Sequence, residues 1–143
     1  MALDWYFTLE RVDWHELSAL YRRAPLGDKR PEDLEMVFGN SRYKCLVYDA
    51  GRLIGVGRAL ADGADCSYIC DIAVLPEYQG QGLGKTIVGK LVELSRGHKK
   101  IILYSYPGKE DFYRKMGFFR MSTAMAIFEN QLQALEWGLV QEG

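Results

Sequence analysis

The stretch Asp71-Ile-Ala-Val-Leu-Pro-Glu-Tyr-Gln-Gly-Gln-Gly-Leu-Gly-Lys85 decides how this chain is read. An apolar run stops at Pro76, glycines follow at 80, 82 and 84, and a helical pattern opens at about Gly82. Its apolar positions are Leu83, Ile87, Val88, Leu91, Val92 and Leu94, the spacing of a helix. A strand, a glycine-rich turn and a helix start in this order suit an anion. First-turn N–H groups have no intrahelical partner and sit at the positive end of the helix dipole. The glycines remove side chains that would keep a ligand off the main chain. Lys85 places a cation where the dipole disfavours it, and a bound anion would compensate.

Spacing separates three nucleotide loops. A Walker loop, G-x-x-x-x-G-K-S/T, finds Gly84-Lys85-Thr86 but needs its first glycine at Gln79. The dinucleotide pattern G-x-G-x-x-G ends on Lys85 or Ile87 instead of glycine. The pattern Q/R-x-x-G-x-G/A is met by Gln79, Gly82 and Gly84. In its strand-to-helix setting the segment closely resembles the acyl-CoA pyrophosphate loop of the GNAT superfamily of N-acetyltransferases. The resemblance implies that Gln79, Gly80, Gln81, Gly82, Leu83, Gly84 and Lys85 hold the pyrophosphate of acetyl-CoA.

A second match is Asp111-Phe-Tyr-Arg-Lys-Met-Gly-Phe118, which is similar to the family's F-Y-x-x-x-G-F ending. Gly117 reads as the left-handed residue that stops a short helix. By resemblance, Tyr113 protonates the leaving thiolate, and Arg114 and Lys115 are available to the CoA phosphates. Phe112 is a further candidate for cofactor contact, and Lys109 for a place near the phosphates. Read without the loop, Phe112 and Tyr113 are core aromatics of a short amphipathic helix.

At 143 residues the chain is expected to be one domain, 1–143, with a core over about 3–128 and an extension over 129–143. It is 48% hydrophobic, 26% charged and has a net charge of −1, which gives no electrostatic case for nucleic acid. No apolar run is long enough for a membrane span, and the first residues lack the regions of a signal peptide. Three cysteines are an odd number, and Cys66 and Cys70 are not spaced as C-x-x-C. The expectation is a cytoplasmic protein without metal or disulfides. His15 and His98 read as incidental.

Strands are expected at 5–10, 43–48, 52–60, 66–75, 99–104, 118–121 and 123–128. Helices are expected from an Asp13 cap to Arg22, from Pro31 to about Gly39, over the 83–94 pattern, around Tyr113, and from an Asn130 cap. The order β-α-α-β-β-β-α-β-α-β-β is an α/β arrangement and that of the GNAT fold. The last helix, with Leu132, Leu135, Trp137, Leu139 and Val140, packs on its own domain, forms a homodimer contact, or walls the acceptor pocket.

The resemblance also implies a bulge and a splay. The strand before the loop diverges from the next one, and the pantetheine arm pairs with main-chain groups at Ile72, Ala73 and Val74. A free N–H at the bulge then polarises the thioester carbonyl. Attack is direct, in a ternary complex, so no nucleophilic side chain is required. The base is open between Asp71, the nearest carboxylate, and a water relay ending on Tyr68, Tyr104 or Ser105. Asp71 is equally a structural partner. The family's asparagine in an N-x-x-A-x-x-x-Y run is missing. Asp62, Asp65 and Glu35 are candidates for drawing in a cationic amine. The leading expectation is acetylation of a small-molecule primary amine; a protein lysine or N-terminus, or a CoA-binding module without turnover, are the alternatives.

Overall fold

Five apolar strands, joined by tight turns or by helices, pair into one mixed sheet. A computed structural model describes residues 2–143; Met1, part of the signal-peptide reading, lies outside the described residues. The chain divides into two units, one through Leu103 and one from Tyr104 to Gly143, each with its own packing.

In the first unit, β1 (Leu3–Tyr6), β2 (Tyr43–Asp49), β3 (Arg52–Ala61), β4 (Cys66–Val74) and β5 (Lys100–Ile102) lie in sequence order. Pairing is antiparallel up to β4, and β4–β5 is parallel. β2 and β3 are joined through Ala50 and Gly51, both at positive φ (50° and 83°), the backbone of a tight hairpin whose twist matches its strands. β1 stops at Tyr6, short of the expected 10, because the chain turns there toward the Asp13 cap. α1 (Trp14–Arg23) starts where Asp13 accepts from the N–H groups of His15 and Glu16, and buries Leu17, Leu20 and Tyr21. α2 (Pro31–Gly39) opens on its proline and buries Leu34 and Phe38.

α3 (Leu83–Leu94) crosses from β4 to β5 and lies flat on β3, with Ile87, Val88 and Leu91 fully buried. Two glycines of β3 allow that approach. A Cβ at Gly57 would sit 2.5 Å from Ile72 Cδ1 and 2.9 Å from both Ile87 and Leu91; one at Gly55 would sit 2.9 Å from Ile87. The helix start is thereby fixed against the end of β4.

The second unit holds α4 (Glu110–Arg114) and α5 (Gln131–Glu136). Gly117, at φ 98°, ends the α4 segment, and the Phe118 N–H returns to the Tyr113 carbonyl. The Asn130 side chain caps α5 by accepting from Gln133 N–H, and Tyr104 meets Phe128 edge-to-face at 6.3 Å. The expected strands 118–121 and 123–128 are not formed: the sheet ends at β5, and these residues have no ladder partner. Phe119, Met125 and Ile127 are 91%, 98% and 94% exposed. Period-two alternation reports an amphipathic extended chain, but a strand also needs an edge to pair with. β5, only three residues long where six were expected, offers little edge.

Candidate functional site

β4 carries the irregularity that makes a site. Val56 pairs with Ala73 and Arg58 with Cys70, so Asp71 and Ile72 together oppose Gly57, a bulge of one extra residue. Asp71 takes φ 57°, a left-handed conformation that aspartate tolerates better than most residues. On its other side, β4 pairs with β5 only from Cys66 to Tyr68. β5 itself ends at Ile102, the partner of Tyr68, so the expected bulge is present and the pairing with β5 does not extend to Ile72, Ala73 and Val74.

Directly after β4, a single 3-10 turn (Pro76–Tyr78) leads into the loop. Gln79 turns its side chain inward: Nε2 donates to the Val74 carbonyl at 2.9 Å and to Ala24 at 3.4 Å, bracing the chain between strand and loop. Glu77 accepts from Arg23 at 2.6 Å and from Arg52 at 2.8 Å, and the two guanidinium contacts hold its carboxyl down at about 2. Gly80 and Gly82 have φ 80° and 81°, and a Cβ at either would meet nothing within 4 Å. Gly82 is the N-cap of α3 and provides no side chain to cap it. The first helical rung runs from Thr86 N–H to Gly82, so the N–H groups of Leu83, Gly84 and Lys85 precede the ladder. Gly84 has neither a positive φ nor a crowded neighbour, since its Cβ would only touch Val74 at 3.9 Å. Packing and backbone geometry do not explain that glycine. Lys85 is exposed and has no ion-pair partner among the described residues.

Asp71 is engaged. Its Oδ2 accepts from Arg58 Nε at 2.8 Å, Oδ1 lies 3.8 Å from Lys29 Nζ, and its carbonyl accepts from the Tyr21 hydroxyl at 2.7 Å. Arg58 and Tyr21 were not singled out by motif reasoning. The signal was an arginine inside an otherwise apolar run, Leu53-Ile-Gly-Val-Gly-Arg58-Ala, because a buried charge is more informative than a buried apolar residue. Neighbouring Cys70 is a thiol, pushed up to about 11 by burial. Asp62 braces its own turn, accepting from the N–H groups of Ala64 and Asp65, which hold its carboxyl at about 2. Asp65 pairs with Lys100 at 2.9 Å.

In the second unit, Tyr113 is half-buried between Phe112, at 5.0 Å, and Phe118, at 6.1 Å. Burial pushes its phenol above the ordinary 10, so it stays a proton donor at neutral pH. Arg114 pairs with Asp111 at 2.6 Å, whereas Lys109 and Lys115 are exposed and have no ion-pair partner among the described residues. The bulge and loop belong to the first unit, and Tyr113, Phe112, Lys109 and Lys115 to the second. No group of His, Cys, Asp or Glu suited to a metal, and no helix long and apolar enough to cross a membrane, occurs among the described residues.

This architecture has known counterparts. The Acetyltransferase (GNAT) family profile matches residues 8–118. A GNAT family acetyltransferase of Streptococcus pneumoniae superposes with a TM-score of 0.77 at 25% identity, over 91% of this chain and 99% of that one. GCN5-related N-acetyltransferase 2, chloroplastic, of Arabidopsis thaliana is 48% identical over 69 residues, 47% of this chain and 27% of its own length. Serotonin N-acetyltransferase 2, chloroplastic, of Oryza sativa subsp. japonica is 39% identical over 113 residues, 75% of this chain and 56% of its own length. The chain thus spans under a third to just over half of the length of these curated relatives. With a mixed five-stranded sheet, a bulged β4 and a glycine loop opening α3, the chain belongs to the GNAT family of acetyltransferases.

Proposed function

We propose that this domain transfers an acetyl group from acetyl-CoA to a primary amine of a small molecule, by direct attack within a ternary complex. The observation behind the proposal is the start of α3: three N–H groups ahead of the helical ladder, a left-handed glycine as N-cap, and Gly84 without a packing reason to be glycine. These features fit a pyrophosphate, whose charge the helix dipole and Lys85 would balance. Bound acetyl-CoA supplies the activated acyl group. The main chain of Ile72, Ala73 and Val74 orients the pantetheine arm, and the bulge directs a main-chain N–H at the carbonyl oxygen. Tyr113, kept protonated by burial, donates to the departing sulfur, and Lys109 and Lys115 meet the phosphates. The proton released by the amine passes to water, because both carboxylate oxygens of Asp71 already face cations. The acceptor carries no requirement for nucleic acid or a membrane, and the three free thiols suit a reducing compartment.

Isothermal titration tests this directly. Acetyl-CoA is expected to bind in the micromolar range, while a CoA fragment lacking the pyrophosphate and the 3′-phosphate does not. Thiol release on addition of an amine then reports turnover. Absence of binding makes the loop a mere strand-to-helix turn and ends the proposal.

A further inference from the structure

We infer that Arg58 and Tyr21 are positioning residues that clamp Asp71 from two sides and so lock the bulge that aligns the acyl group, an inference resting on the reading of β4 as the donor strand. Apart from Ala50 in the hairpin turn, Asp71 is the one non-glycine residue at positive φ among the described residues, and it sits inside a strand. Such a conformation persists only where the surroundings over-determine it.

Here they do. Tyr21, wholly buried on α1, holds the Asp71 carbonyl at 2.7 Å. Arg58, 12% exposed on β3, holds the carboxylate at 2.8 Å. The guanidinium is itself fixed by Ser41 Oγ at 3.2 Å and by the face of Phe38 at 5.9 Å. Lys29 reaches both partners, lying 3.8 Å from the carboxylate and 5.4 Å above the Tyr21 ring. Main chain and side chain of one residue are therefore gripped by different elements, α1 and β3. Stability does not account for the arrangement, because a half-buried ion pair gains little over well-packed apolar side chains of the same volume. Specifying one backbone conformation does. Arg58, Lys29, Tyr21 and Cys70 face the carboxylate; burial raises the Tyr21 phenol well above 10 and holds the Cys70 thiol near 11, and the Arg58 guanidinium, despite its burial, is raised by Cys70 and Asp71 beside it.

The test compares Arg58→Met, Tyr21→Phe and Asp71→Asn with the wild type by three readouts. CoA affinity, set by the loop, is expected to stay within about threefold, while kcat falls about 10- to 100-fold in each, as misplacement of reacting groups by an ångström produces. Arg58→Met combined with Asp71→Asn is expected to be no worse than either alone, since both act through one ion pair. Adding Asp71→Gly to Arg58→Met is expected to restore part of kcat, because glycine adopts positive φ freely. An unchanged kcat in Arg58→Met and Tyr21→Phe overturns the clamp. So does a pH profile whose rising limb is lost in Asp71→Asn alone, which makes Asp71 the base. Hydrogen exchange across residues 71–74 in the unliganded protein is the turnover-independent readout, expected to accelerate in Arg58→Met and Tyr21→Phe. Unchanged exchange overturns the clamp, whereas a wild type that fails to bind acetyl-CoA overturns the functional reading instead.

Discussion

Replacing Gly82 and Gly97 with alanine, one at a time, separates backbone strain from ligand approach at the α3 loop. Both residues are exposed, both hold positive φ (81° and 98°), and a Cβ at either would meet nothing within 4 Å. They differ in place: Gly82 caps the start of α3, and Gly97 follows its end. An L-residue in the left-handed region costs about 1–2 kcal/mol. At roughly 3–5 °C per kcal/mol for a domain of this size, each variant is expected to lose about 3–10 °C in Tm. Only Gly82→Ala places a methyl beside the N–H groups of Leu83, Gly84 and Lys85. A phosphate oxygen at hydrogen-bond distance from those groups leaves no room for it. Losing one charge-assisted bond of about 1.5–3 kcal/mol weakens acetyl-CoA binding about 10- to 150-fold. Scanning calorimetry gives the Tm and titration calorimetry the Kd. If the two variants lose stability alike and bind acetyl-CoA alike, the loop glycines serve the backbone only, and the pyrophosphate argument is refuted.

Tyr113→Phe is expected to lower kcat about 100-fold with the Kd of CoA unchanged; an unchanged kcat removes the general-acid role. Because the phenol titrates above 10, wild-type kcat is expected to show no alkaline loss from Tyr113 below that pH. Gly57→Ala forces a Cβ to 2.5 Å from Ile72 and 2.9 Å from Ile87 and Leu91, and is expected to destabilise by about 1–3 kcal/mol in urea unfolding. Glu77 and Asp62 are depressed to about 2 from ordinary values of 4.5 and 3.8, so their contribution is full above those values and fades as pH falls toward 2. Glu77→Gln and Asp62→Ala are therefore expected to flatten the urea midpoint over that window, and curves parallel to wild type contradict the assignment. Amides of residues 118–128 are expected to exchange without ladder protection, and slow exchange there would show strands.

What was legible in the sequence was what rests on local rules. Asp13 and Asn130 cap helices through their own side chains, Pro31 opens α2, and Gly82 and Gly117 mark helix ends, each a choice made within a few residues. The loop 79–85 was legible for the same reason. Residues 118–128 were not: alternation suggests pairing, yet pairing depends on a partner edge that no local pattern encodes. Tyr21 and Arg58 were hidden because their role is set by tertiary proximity, 50 and 13 residues away from Asp71 in sequence.

On the proposed function, that difference divides donor binding from alignment of the acyl group. The proposed affinity for an acyl donor rests on one contiguous segment, where glycines and a helix start suffice to present N–H groups to an anion. Alignment of the reacting carbonyl does not, because a strand bends to positive φ at Asp71 only when α1 and β3 hold it there. A chain keeping residues 79–85 while losing Arg58 would keep the motif and bind the donor, yet transfer the acyl group slowly. Motif matching alone would not tell the two apart.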